Sequence, residues 1–119
     1  MNAAMLSQQL LQAVRDLRDA MAELETRSRD AAQFDRAWRL AKAQSYAATE
    51  GTIPEREAAV ERETAHLRFE AKASEDLRVS ALEAVRSHRT IVSAFQSVVS
   101  ASKAEAELAK WEPREGEGA

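Results

Sequence analysis

The sequence predicts an all-α fold: a long antiparallel helical hairpin, coiled-coil-like, that assembles into a four-helix or larger bundle. Alanine is the commonest residue, with 25 of 119 positions, whereas glycine, proline and aromatic residues are scarce. This composition is typical of long helices and coiled coils. Large apolar residues recur at helical spacing, and glycine meets proline inside the helical part at one place, TEGTIPERE (Thr49 to Glu57). One interruption between two long periodic segments indicates two helices.

The first helix is predicted over residues 3–49. The side chain of Asn2 can accept from the free backbone N–H groups that begin it. Large apolar residues then follow at spacings of three and four, a coiled-coil stripe: Leu10, Val14, Leu17, Met21 and Leu24. The stripe weakens at Ser28 and Ala31 and resumes out of step at Phe34, Trp38 and Ala41. A kink or break near Ser28–Asp30 is therefore left open.

The quoted stretch predicts a turn over residues 50–52 and a second helix over 53–111. Gly51 can adopt the left-handed conformation that ends a helix. Thr52 and Glu55 have capping-box spacing, and Pro54 lies in the first helical turn. Residues 1–111 form one predicted domain, because a short turn favours an antiparallel hairpin. The last residues, 112–119, are predicted to be disordered.

The turn also predicts which residues face each other. If Thr49 faces Pro54, large apolar residues meet along most of the hairpin: Phe34 with Phe69, Met21 with Leu82, Leu24 with Val79, Leu11 with Val92, and Leu6 with Val98. In this register Leu17 faces Arg86 and Val14 faces Arg89, so these two arginines are expected to flank the seam.

The second helix is longer than the first, so its end lacks a partner helix within the chain. An apolar stripe continues there at spacings of three and four. Because an unburied apolar stripe indicates another chain, we expect a partner-binding surface formed by four residues: Ala101, Ala104, Leu108 and Trp111. The same stripe is equally consistent with the interface of a homo-oligomer.

Self-association is expected on a second ground. A two-helix hairpin has a poor ratio of buried to exposed surface. The apolar residues of IVSAFQSVVSAS (Ile91 to Ser102) cover more than one stripe of the helix. They predict an oligomer seam, with a dimer favoured; its residues are His88, Val92, Phe95 and Val99.

No catalytic, cofactor-binding or metal-binding residue is assigned, and the chain is not expected to be an enzyme. Glu63 and His66 form one Glu-x-x-His, which di-iron helical bundles use in pairs together with further glutamates. The acidic residues near the start of the second helix suit its positive end, and this explains them without a site.

The alternative to a protein-interaction role is association with DNA or RNA. The second half of the second helix carries a modest basic face, whose cations are suited to phosphate contacts: Arg78, Arg86, Arg89 and Lys103. No sequence motif for nucleic-acid recognition accompanies them.

The location is predicted to be cytoplasmic. There are no cysteines, which fits a reducing compartment. The N-terminal residues lack the pattern of a signal peptide, and no apolar run approaches the ~20 residues that a membrane span needs.

The segment RTIVSAFQSVVSASKAEAELAK (Arg89 to Lys110), preceded by EGTIPEREAAVE, resembles small uncharacterised helical proteins of tailed phages and prophages of actinobacteria. The resemblance covers about the last two-thirds of the chain. It implies an accessory role in phage replication, recombination or host takeover, in the host cytoplasm, and it carries over no catalytic residue. The expected function is thus a non-enzymatic interaction or adaptor protein, and the alternative is a DNA- or RNA-associated accessory factor.

Overall fold

The computed structural model describes residues 2–111, which form two long α-helices joined by a short turn. The first, α1, spans Ala3–Ala48, and the second, α2, spans Ile53–Trp111. The fold is therefore an all-α helical hairpin, as the composition and the single interruption predict. Within the described residues, neither helix is long and apolar enough to cross a membrane. The predicted disordered tail, 112–119, lies outside the described residues.

The cap that begins α1 and the turn that ends it follow from local sequence. The Asn2 side chain accepts from the backbone N–H of Met5 at 2.8 Å, which is the predicted cap. Gly51 has a φ of 124°, a backbone conformation that residues other than glycine rarely adopt. Thr52 accepts from the backbone N–H of Glu55 at 3.4 Å. This is one half of the predicted capping box; the return bond from the Glu55 carboxylate does not occur among the described residues.

α1 is continuous through residues 28–30, so the break that the sequence left open does not form. Two i,i+4 ion pairs support the helix just before this point. Arg27 bonds Glu23 at 2.7 Å, and Arg29 bonds Glu25 at 3.1 Å. Such exposed pairs contribute only a few tenths of a kcal/mol each, about 0.3–0.5, so the continuity of α1 depends mainly on its packing against α2.

The hairpin packs as two compact units. One comprises residues 20–85 and contains the turn; the other brings the first 19 residues of the chain together with α2 from Arg86 onwards. Each helix contributes to both units. The single domain expected over residues 1–111 stays a prediction.

In the unit around the turn, the buried seam consists mostly of small residues. Seven residues are buried there: Ala31, Ala59, Val60, Thr64, Ala71, Ala81 and Val85. Val85 is the largest side chain that is fully buried, at 1% exposure. Thr64 satisfies its hydroxyl within the seam by donating to the backbone oxygen of Val60 at 2.7 Å. Four of the seven are alanines, so α1 and α2 can approach closely.

The other unit buries two larger apolar side chains and one alanine. Its buried residues are Leu6, Ala13 and Val92. In α1, half-buried Leu10 and Leu17 alternate with Ala13 and Ala20 at spacings of three and four. This rhythm continues through Leu24, Arg27 and Ala31 without a slip. The slip predicted between Ala31 and Phe34 is absent from the seam, because Phe34 is exposed.

The predicted pairing of large apolar residues is wrong, because every pair contains at least one residue that is exposed. The exposed members are Phe34, Phe69, Met21, Val79, Leu11 and Val98. Phe69, at 71% exposure, lies on the outer surface of α2. The buried positions are occupied mainly by alanine and valine, and the largest side chains of the predicted pairs, Phe34 and Phe69, are both exposed. Arg86 and Arg89 are exposed, which confirms that they lie outside the seam.

Candidate interaction surfaces

The C-terminal part of α2 is uncovered over its last described turns. Ser102 is half-buried, and every residue from Lys103 to Trp111 is exposed. Leu108 is 67% exposed and Trp111 is 82% exposed. An exposed ion pair between Lys110 and Glu107, 3.4 Å apart, is the polar contact of this segment. The geometry that the partner-binding prediction requires is therefore present, and the binding itself stays a prediction.

Ala101 and Ala104, the two other residues predicted to bind a partner, are also exposed. They carry small side chains between the half-buried Ser102 and the large residues farther along α2. A second helix could approach the backbone closely at these two positions.

Of the four residues predicted to form the oligomer seam, one is buried and three are half-buried in the single chain. Val92 is 8% exposed in a single chain, so the chain already covers it. His88, Phe95 and Val99 are half-buried at spacings of three and four around Val92. The part of His88, Phe95 and Val99 that stays accessible is open to a second chain, so the oligomer seam stays a prediction.

The apolar residues of this segment that remain exposed lie beside the seam. Ile91 and Val98 are exposed and are seven residues apart, so they share one face of α2. Met5 of α1 is also exposed in this unit. A shallow groove of about 410 Å³ is lined by Leu6, Phe95, Val98, Ala101, Ser102 and Glu105. We call the α2 positions Ile91, Ala94, Val98, Ala101, Glu105 and Leu108 the apolar face.

The predicted basic face separates into two parts. Arg78 lies in the unit around the turn and binds Glu75 through two hydrogen bonds, of 2.9 and 2.6 Å. The hydrogen bond from Arg78 is the main reason that the pKa of the Glu75 carboxyl is lowered, and the same contact raises the pKa of Arg78. The charge of Arg78 is therefore largely compensated.

Arg86, Arg89 and Lys103 remain as an exposed set in the other unit. They make no ion pair within the described residues. Arg86 and Arg89 are three residues apart, and Lys103 is two heptads beyond Arg89, so all three lie on one side of α2. Helical spacing places Ile91 and Val98 on the other side of the seam. This unit therefore has a basic side and an apolar side.

The histidine and the carboxylates that resemble a metal motif are engaged separately. His66 Nε2 lies 2.8 Å from the carboxylate of Glu70, one turn along α2. The Glu63 carboxylate accepts instead from the Ser45 hydroxyl of α1. Within the described residues, no group of three or more metal-binding side chains is formed.

A groove near the turn is a feature that the sequence reasoning missed. It has a volume of about 870 Å³ and includes Trp38, Lys42, Tyr46 and Thr64 in its lining. Lys42 Nζ lies 4.3 Å from the centre of the Trp38 ring. The spacing of four residues between tryptophan and lysine is the signal that could have identified this contact.

The wall of the hairpin beside this groove is held by Arg56. Its guanidinium lies 4.0 Å from the centre of the Tyr46 ring, and it donates to the Tyr46 backbone oxygen at 2.7 Å. One residue thus ties the last turn of α1 to the first turn of α2. The Trp38 indole N–H is buried and has no acceptor among the described residues. The groove is also lined by charged side chains of both signs, among them Arg39, Glu57, Glu61 and Arg68.

Comparison with protein-family models, curated proteins and solved structures finds no match to the chain.

Proposed function

We propose that this protein is a non-enzymatic interaction or adaptor protein that self-associates through its helices. The observation that carries the proposal is the uncovered end of α2, where Leu108 and Trp111 present most of their surface to solvent. The ion pairs of the described residues lie along helix surfaces at i,i+3 or i,i+4 spacing. These ion pairs stabilise the individual helices. The exposed apolar surface is the part of the molecule that another chain could bind.

The free energy available from covering this end is large for two residues. A buried aromatic side chain removes ~150–250 Å² from water, so covering Trp111 at 82% exposure contributes about 3–5 kcal/mol. Leu108, at 67% exposure, contributes about 1–2 kcal/mol on the same basis. Residues of this strength act as hot spots in protein interfaces.

The setting of this function is a further part of the proposal. The resemblance of Arg89 to Lys110 and of the turn to small actinobacteriophage proteins favours a phage accessory or host-modulating role in the host cytoplasm. An adaptor of this kind needs an accessible binding segment rather than a catalytic pocket. The end of α2 supplies such a segment.

The test removes the two large side chains together, as Leu108→Ala with Trp111→Ala. The molar mass measured by light scattering, or partner binding, should fall, while helicity measured by circular dichroism stays nearly unchanged. The matched control is Leu40→Ala with Phe69→Ala, which removes comparably exposed apolar side chains from the other unit. If assembly and partner binding both survive in the Leu108/Trp111 variant, the proposal is wrong.

The second candidate function is association with DNA or RNA, favoured by the exposed set Arg86, Arg89 and Lys103. Three phosphate contacts per chain give a slope of about −2 to −3 in a plot of log affinity against log salt concentration. Arg86→Glu with Arg89→Glu should abolish this salt-dependent binding. The control, Arg36→Glu with Arg62→Glu, makes the same change in net charge in the other unit and should retain it. If the unmodified protein shifts no nucleic acid at low salt, this candidate is eliminated.

A further inference from the structure

The apolar face of α2 combines low charge with an ordered distribution of side-chain size. Of its six positions, Glu105 alone is charged. The large residues Ile91 and Leu108 lie at the two ends, and Ala94 and Ala101 lie between them. Ile91, Val98 and Leu108 are all exposed in the single chain. The face is therefore unburied, and the cost of desolvating charge on it is confined to one position, Glu105.

We infer that this face binds a second copy of the same chain, with the two α2 helices antiparallel about a two-fold axis near Val98 and Ala101. The inference rests on the proposed function and specifies its partner. In this arrangement Ile91 of each chain packs against the partner's Leu108. Val98 packs against the partner's Ala101. Large side chains therefore pack together at both ends of the contact. Near the axis, where the two helices approach most closely, the small Ala101 faces the β-branched Val98.

The distribution of charge favours this occupant over a differently oriented copy. Arg86, Arg89 and Lys103 lie on the opposite side of the seam, so the antiparallel pairing brings no basic residues of the two chains together. Glu105 faces the partner's Ala94, beside the partner's Ser97, whose hydroxyl can donate to its carboxylate. A parallel arrangement would instead place the two Glu105 carboxylates side by side, which is unfavourable.

The size of the face sets the strength of the dimer. From Ile91 to Leu108 the helix rises ~26 Å, and a contact ~15 Å wide covers ~400 Å² of each chain. Stable interfaces bury ~800 Å² per partner, so the smaller interface between these two chains should be weak and should dissociate readily. We expect a monomer–dimer equilibrium that depends on protein concentration, and the groove beside Phe95 and Leu6 is closed in the dimer.

The experiment uses disulfide trapping, since the chain contains no cysteine of its own. Full-length Ile91→Cys and Leu108→Cys proteins are mixed and oxidised under mild conditions. The mixed disulfide should form in large excess over either homodisulfide, because facing residues alone come within bonding range. The control mixes Ser93→Cys with Ser100→Cys, two exposed positions on the basic side of α2, and should give little cross-linking.

A substitution pair provides a second readout. Ala101→Glu places one carboxylate of each chain near the axis and should raise the dimer dissociation constant at least tenfold, whereas the neighbouring Ser100→Glu should leave it unchanged. Homodisulfides of Ile91→Cys in excess, or efficient cross-linking of the control pair, would overturn the inferred face. A dimer by light scattering without the Ile91–Leu108 disulfide refutes this face and leaves self-association standing. A monomer at every concentration refutes both.

Discussion

Enlarging one buried alanine tests the packing of the hairpin. Ala71 is buried in the seam of the unit around the turn, whereas Ala65 is exposed on the same helix. In Ala71→Leu, the added side chain must separate the helices or adopt a strained rotamer, which costs about 1–3 kcal/mol. Ala65→Leu adds the same atoms in solvent and changes helix propensity equally. The stability difference between these variants therefore isolates the effect of packing.

The assay is thermal unfolding followed by circular dichroism, at one fixed protein concentration. For a domain of this size, 1 kcal/mol shifts the midpoint by about 4–8 °C, so Ala71→Leu should unfold roughly 5–20 °C below Ala65→Leu. The same comparison at a tenfold lower concentration controls for any effect of assembly. If Ala71→Leu is as stable as Ala65→Leu, or more stable, the seam is not closely packed at this position and the reasoning from small residues is refuted.

Three further predictions concern the seam, the turn and an exposed ion pair. Val85→Ala should cost about 1.5–3 kcal/mol in chemical denaturation, whereas Phe69→Ala should cost under ~0.5 kcal/mol, and equal losses would contradict the burial pattern. Gly51→Ala should lower stability by about 1 kcal/mol or more, because its φ of 124° strains any side chain, and an unchanged midpoint would exclude that strain. Arg78 lowers the pKa of the Glu75 carboxyl, so the ion pair stabilises the fold above the unfolded-state pKa of Glu75, and this stabilisation is lost as pH falls through the folded-state pKa. Glu75→Gln should remove this loss of stability at acid pH. If the variant and the unmodified protein unfold with the same pH profile, the ion pair does not stabilise the fold.

Most of the architecture was predictable because its signals are local. The Asn2 cap, the glycine that ends α1 and the proline that begins α2 each act within a few residues. Their positions place the observed helix ends within one residue of the predicted ones. The continuity of α1 could not be settled in this way, since it depends on packing rather than on a local stop signal.

The register of the seam was not predictable from large apolar residues. The sequence reasoning included Met21 in the stripe, but this residue is exposed, and it left out Ala13, which is buried. A pattern built only from large apolar side chains does not count alanine, although the small size of alanine decides how closely two helices pack. A stripe in which alanines count as core positions keeps an unbroken rhythm and could have identified the seam.

The candidate surfaces depended on two different kinds of signal. His88, Val92, Phe95 and Val99 form a good heptad stripe, and the sequence alone does not say which chain covers it. In the single chain Val92 is buried, whereas Ile91 and Val98 are exposed. By contrast, the exposure of Leu108 and Trp111 followed from counting residues on each side of the turn, because the lengths of two antiparallel helices fix how far one extends beyond the other.

The most direct test of self-association is light scattering coupled to size-exclusion chromatography, across a concentration series from a few micromolar to several hundred micromolar. Absorbance at 260 and 280 nm is recorded on protein purified without nuclease, so that bound nucleic acid is detected. The account predicts a mass that rises from 13.2 kDa towards twice that value, without excess absorbance at 260 nm. A constant mass of 13.2 kDa throughout the series, or a complex that carries nucleic acid, would contradict it.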